Sequence, residues 1–154
     1  MPHVVEPSLG IDRIMYTLLE HSYYEDFVEG EIRKVLKLKP KLAPIPIAVL
    51  PLMSKPELIE PAKKIVHEIR KSGFMCEYDE SGFIGKRYRR FDEIGTPYCI
   101  TTDYQTLEDD TVTIRDRDTM RQVRVPMKEI NKVVRNLILE IWNFEKMRER
   151  YINI

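Results

Sequence analysis

A chain of 154 residues with 43% hydrophobic and 32% charged residues is long enough for one real core under a well-solvated surface. Lys plus Arg and Asp plus Glu both total 25, so the net charge is zero; this excludes a globally basic nucleic-acid binder but leaves room for a local basic patch. Cys76 and Cys99 form neither a disulfide framework nor a metal spacing, His3, His21 and His67 are scattered, and no apolar run reaches bilayer length, so a soluble, cytoplasmic chain without a bound metal is expected.

In chain order, "HVVEPS" (3–8) predicts a short strand, and Ile14, Met15, Leu18 and Leu19 recur at helical spacing over roughly 10–24. The next stretch, through Pro44, mixes charge, Gly30 and prolines without a clean period and predicts a partly ordered connector. "IPIAVLPL" (45–52) is a continuous apolar run of strand length, as a strand covered on both faces requires. Ser54 to Ser72 predicts a helix with Leu58, Ile59, Ala62, Ile65, Val66 and Ile69 on one face and Gly73 as its stop. Pro61 falls inside it and predicts an irregular first turn. A strand over 74–79, a short basic helix near 84–94 and a strand "PYCITTDY" follow. "TVTIRDRD" and "RQVRV" alternate across a short link at Thr119–Met120 and predict a hairpin. A last helix carries Met127, Ile130, Val133, Val134, Leu137, Ile138, Ile141 and Trp142 on one side. From residue 45 the order β-α-β-α-β-β-β-α predicts an α/β fold: a mixed sheet of about five strands flanked by helices.

Two stretches carry chemistry. "EPSLGIDR" places Glu6, Ser8 and Arg13 around a Gly10 turn. It reads either as an ordinary surface turn or as one wall of a nucleotide site, with Arg13 offering a planar fork to phosphate. In the second, Arg115, Arg117, Arg121 and Arg124 accompany Asp103 and Asp116 on the expected hairpin. Such a mixture on an exposed face suits the reading of base edges, and it equally suits cross-strand ion pairs. "SGFIG" (81–85) reads as a turn or as a phosphate nest.

"VVEPSLGIDRIMYTLLEH" is similar to the third signature motif of class II aminoacyl-tRNA synthetases, in the form carried by glycyl-tRNA synthetases. "AVLPL", "DESGFIGKRYRRFDEIGTPYCITTDY" and "TVTIRDRDTMRQVRV" resemble the same family, closest to its archaeal and eukaryotic type. The likeness covers nearly the whole chain and is weakest over 25–44. It implies that Glu6, Pro7 and Ser8 grip substrate glycine and that Arg13 clamps ATP in the parent enzyme, although Asp12 stands where some members have Gly. The first two class II motifs are absent. The resemblance therefore implies the C-terminal part of a homodimeric ligase that joins glycine to tRNA with ATP and Mg²⁺, inactive and without a cofactor on its own. On that reading residues 1–25 are a strand-helix remnant of the catalytic domain, 26–44 a connector and 45–154 an anticodon-binding domain. Glycine anticodons end in two cytosines, each with an amine donor beside acceptors. The anticodon contacts implied are Asp103, Tyr104, Gln105, Arg115 and Arg117, with Tyr104 or Arg117 offering a plane for stacking. The alternative is a non-catalytic interaction module, as in the accessory subunit of the mitochondrial DNA polymerase. Retention of Glu6, Ser8 and Arg13 argues against it.

Overall fold

The computed structural model describes residues 3–28 and 30–154. Residues 3–10 form no strand: among the described residues no strand lies beside them to complete a ladder, and they are exposed throughout. Helix α1 (Ile11–Ser22) follows, with Ile11, Ile14, Met15 and Leu19 largely exposed on its apolar face. The expected connector is instead an antiparallel hairpin, β1 (Tyr23–Val28) and β2 (Glu31–Leu36), in which Asp26 faces Arg33 and Phe27 faces Ile32.

The main sheet has six strands, one more than expected, in the order β4-β3-β5-β6-β7-β8. Strand β3 (Ile47–Pro51) pairs in parallel with β4 (Cys76–Tyr78) on one side and β5 (Tyr98–Thr102) on the other, and every one of its residues is buried. Its uninterrupted apolar run follows from covering on both faces. Antiparallel pairing then adds β6 (Thr111–Asp116), β7 (Gln122–Pro126) and β8 (Ile152–Asn153).

Helix α2 (Pro56–Lys71) takes Pro61 without the expected irregular first turn: the Ile59 N–H already donates to the Lys55 carbonyl four residues back, and the helix runs unbroken to a stop at Gly73. Helix α3 (Ile84–Ile94) has the expected bounds. Its C-terminal Gly95 sits at φ +86, and a Cβ there would meet the Leu36 carbonyl oxygen and a Leu38 methyl at 3.0 Å. Only glycine lets the hairpin approach α3 so closely.

Two further expectations on helices fail, for local reasons. The strand "PYCITTDY" ends at Thr102 because Asp103 caps a further helix, α4 (Tyr104–Asp109): Asp103 Oδ1 accepts from the Thr106 N–H, and Thr106 Oγ1 accepts from the Asp103 N–H. The single C-terminal helix is broken in two. A 3₁₀ turn (Met127–Glu129) leads into α5 (Ile130–Ile138), Glu140 turns left-handed at φ 56, and Asn143 caps α6 (Phe144–Arg150) through the Lys146 N–H.

Helices α2, α5 and α6 cover one face of the sheet, burying Ile100, Val112, Ile114 and Val123 against Ile65, Ile69, Val134, Leu137 and Met147. On the other face α3 makes a much smaller apolar contact, confined to Ala48, Leu50 and Cys99 under Phe91, with Ile84 and Tyr88 at its border. Leu137 is fully buried. Leu137→Ala should cost about 2–5 kcal/mol in a urea titration. Residues 3–21 add almost nothing to the core, so deleting residues 1–21 should leave the calorimetric midpoint within a few degrees of the parent. Deleting residues 1–36 should lower it sharply, because Arg33 goes with the hairpin.

Candidate nucleic-acid interface

Alternation along the strands sorts the polar residues. Val112, Ile114, Val123 and Val125 point into the large core, so Thr113, Arg115 and Arg124 lie on the α3 side with Thr101 and Asp103. Arg115, Arg117, Arg124 and Asp103 do share one face, as the sequence suggests, but that face is not exposed; Asp116 alternates with Arg115 and lies on the other side with Tyr98, and Arg121 is exposed beside Glu145. Strand β6 lies inside the sheet, and its arginines are held down by partners.

Asp92 of α3 is wholly buried and accepts from two guanidiniums. Arg115 Nη1 and Nη2 reach its two oxygens at 2.9 and 3.1 Å, and Arg33 Nη1 reaches Oδ2 at 3.2 Å. Arg33 also grips Asp26 through Nε and Nη2, so Asp26, Arg33, Asp92 and Arg115 alternate in charge and sum to zero. The Arg115 guanidinium carbon stands 4.6 Å from the centre of the Tyr88 ring, and the Tyr88 hydroxyl hydrogen-bonds Thr101 at 2.7 Å. Burial raises the pKa of Tyr88 above its usual value, keeping the phenol neutral.

Arg117, expected as a stacking plane, is a bolt instead. Its Nη1 donates to the carbonyls of Leu36 and Gly95, both at 2.9 Å, and its Nε to Asp118, which ties the hairpin and α3 to the end of β6. Asp103 is committed to the α4 cap and to Arg124, whose Nη1 and Nη2 both donate to it. Tyr104 and Gln105 sit exposed on the first turn of α4, with Lys55 5.0 Å above the Tyr104 ring. Arg115 lies opposite Cys99, four residues before Asp103, so the expected contacts fall into two groups about 13 Å apart.

The crevice at the C-terminal ends of β3 and β4, where open α/β sheets commonly take ligands, is plugged by Arg87. That side chain is buried and donates to the carbonyls of Pro51, Leu52 and Asp79. A cavity of about 400 Å³ lies beside that crevice, lined by residues 77–79 and by residues of α3 from Arg90 to Ile94, and another lies at the start of α3. The latter, about 390 Å³ in volume, is lined by Val28 and Glu31 from the hairpin, Phe83, Lys86, Tyr88 and Arg89 from α3 and its lead-in, Arg115 from β6, and Met120 from the β6–β7 turn. Phe83, 81% exposed, and Lys86 were not singled out individually from the sequence, where "SGFIG" reads as a turn or a phosphate nest and "KRYRR" as part of a basic helix.

Glu6, Pro7, Ser8 and Arg13 are all exposed, and no other element closes around them. Arg13 lines a shallow apolar hollow with Ile14, Thr17, Leu18 and His21, all from α1 itself. These residues alone do not build a site for ATP or glycine. Among the described residues no group of His, Cys, Asp and Glu is arranged to hold a metal ion, and no helix is long and apolar enough to cross a membrane.

Residues 46–137 match the family described as "Anticodon binding domain". The chain belongs to that family. This anticodon binding domain is 60% identical over 138 residues to a glycine–tRNA ligase of Methanothrix thermoacetophila and 54% identical over 138 residues to one of Archaeoglobus fulgidus. In each case 90% of the chain is covered but only 24% of the relative, so the chain spans about a quarter of these proteins. Its fold is shared with a prolyl-tRNA synthetase of Cryptosporidium parvum, at a TM-score of 0.64 and 22% identity over 68% of this chain and 23% of that one. The α/β fold expected from residue 45 onward is that of the family.

The ion pairs give the domain an acid limit. The hydrogen bond from Arg33 holds the Asp26 pKa below its ordinary value. For Asp103 burial works the other way, but the bonds from Arg124 and Thr106 outweigh it and lower the pKa. Both groups therefore contribute stability above the unfolded carboxylate range that is lost as pH falls through the depressed folded values. Asp116, raised by burial, acts in the opposite sense only at higher pH, before the unfolded carboxylates titrate. The urea midpoint should drop below about pH 4, and Asp103→Asn should flatten that drop.

Proposed function

We propose that this chain reads the anticodon loop of a glycine tRNA as part of a longer glycine–tRNA ligase. The observation that carries the reading is a guanidinium, Arg115, fixed at the floor of an open cavity with an aromatic and two cations at its rim. Sequence-specific proteins recognise single-stranded RNA by splaying bases into such places, stacking them on aromatic faces and bonding their edges. Lys86 and Arg89 supply the local positive charge that the neutral composition otherwise lacks, and among the described residues neither is ion-paired. Tyr104 and Gln105 offer a second contact on α4. Asp103 and Arg117 act as supports beneath the surface. Similarity to glycine–tRNA ligases favours a ligase over an interaction module, as does retention of Glu6, Ser8 and Arg13.

In this reading residues 3–21 belong to the catalytic part of the longer protein, and the bare apolar face of α1 packs there. Glycine, ATP with Mg²⁺ and a second subunit would be met mainly by segments outside this chain, because the residues present do not enclose them. The hairpin at 23–36 goes with the anticodon binding domain.

The reading is tested by fluorescence anisotropy with a glycine anticodon stem-loop at low salt. Binding should be weak, should favour the two-cytosine anticodon over one with both cytosines replaced, and should lose affinity on adding salt. Arg115→Ala should cost about 1–3 kcal/mol toward the cognate loop and reduce the preference. Equal binding of cognate and replaced loops would refute anticodon recognition by this chain.

A further inference from the structure

We propose that Glu31, from the β1–β2 hairpin, is a specificity-determining residue: with Arg115 it reads the edge of one unstacked cytosine in the cavity beside α3. The inference rests on the anticodon reading and deepens it. It assigns a role to a residue outside the span 46–137 that matches the family.

The cavity is composite. The hairpin tip supplies Val28 and Glu31, the start of α3 supplies Phe83, Lys86, Tyr88 and Arg89, and β6 and its turn supply Arg115 and Met120. Its volume of about 390 Å³ is within the ~300–1,000 Å³ usual for small-ligand sites. Arg115 is 5% exposed and sits at the floor. A guanidinium has five N–H donors, and Asp92 engages one on each terminal nitrogen, so others remain to be aimed elsewhere. The Tyr88 face and Asp92 fix its plane, so its donors are pre-oriented rather than mobile. Among the described residues Glu31 is the one carboxylate that lines the cavity, and it has no ion-pair partner among them. Asp92, the other nearby acid, is saturated by two arginines.

That leaves one free acceptor and one fixed donor group facing the same space. Cytosine presents the complement: an exocyclic amine that donates to a carboxylate, beside acceptors that take N–H groups. Uracil has an oxygen where cytosine has the amine, so it would set two acceptors against each other at Glu31. Two acceptors set face to face repel, which makes Glu31 a discriminator against uracil more than a source of affinity. Phe83, projecting at the rim, is placed to stack on the same base without regard to its identity.

The docking of the hairpin sets where Glu31 stands. Arg33, two residues on, is 1% exposed and bonds Asp26, Asp92 and the Arg117 carbonyl. The carboxylate that selects and the arginine that donates are thus referred to the same buried Asp92.

The experiment compares glycine anticodon stem-loops carrying cytosine or uracil at each of the last two anticodon positions, titrated against the parent chain, Glu31→Gln, Arg115→Lys and Phe83→Ala. Circular dichroism melts confirm that each is folded. The parent should prefer cytosine at one position by about tenfold or more. Glu31→Gln can turn an amide N–H toward the uracil oxygen and should bring that ratio to within about threefold of unity. Phe83→Ala should weaken both loops equally. A cytosine-to-uracil ratio unchanged in Glu31→Gln, with the parent discriminating, would overturn the assignment of Glu31 and leave anticodon binding standing. A parent chain that binds both loops alike at both positions would instead overturn the anticodon reading, and this inference with it.

Discussion

The carboxylate of Asp92 is the point on which the α3 side of the molecule depends. It is fully buried and is shared by two arginines that come from elements 82 positions apart in the chain, Arg33 and Arg115. An isolated carboxylate could not stay ionised there, since desolvation costs several kcal/mol even after relaxation. The arrangement works because the charges alternate from Asp26 through Arg33 and Asp92 to Arg115 and cancel. Taking out Asp92 would leave Arg115 buried without its counter-charge and Arg33 with Asp26 alone, and breaking such a set typically costs about 3–5 kcal/mol. What the network contributes is geometry. It seats a loop-like hairpin on a helix and fixes the plane of a guanidinium on a strand.

The two faces of the sheet divide the work. The α2, α5 and α6 side holds nearly all of the apolar core and supplies the driving force for folding. This frees the α3 side from having to be apolar. Beyond Cys99 that face carries Thr101, Thr113, Arg115 and Arg124, each satisfied by a named partner, and hydrogen-bonding groups can be displayed there without undermining the core. Rigid polar display on a scaffold stabilised elsewhere is what recognition of a base edge requires.

Electrostatics favour discrimination over adhesion. With zero net charge the chain has no general field to draw in RNA, and Arg90 is neutralised by Asp79 at 2.6 Å. Few phosphate contacts mean a small gain from counterion release and little non-specific binding. Affinity for RNA would then depend on fitting a particular loop rather than on a general field.

The sequence by itself determined the central elements: β3 from its unbroken apolar run, α2 from its period and its glycine stop, α3 as a short basic helix, and the β6–β7 hairpin from alternation. Those signals come from burial of whole faces, which leaves a repeating trace. Helix α4 was legible in hindsight, because Asp103 and Thr106 have capping-box spacing, but the apolar "PYCITT" run masked it. The break after α5 left no such trace, since Glu140 adopts a left-handed conformation without being glycine. Only the tertiary structure decided the fate of the charges. "RDRD" is as compatible with a solvated strand as with buried arginines, and "YYEDFVEGEIRKVL" gives no hint that Arg33 will meet an aspartate 59 residues away. Ion pairs between distant elements have no period and no local spacing, so they exist only once packing has brought their partners together.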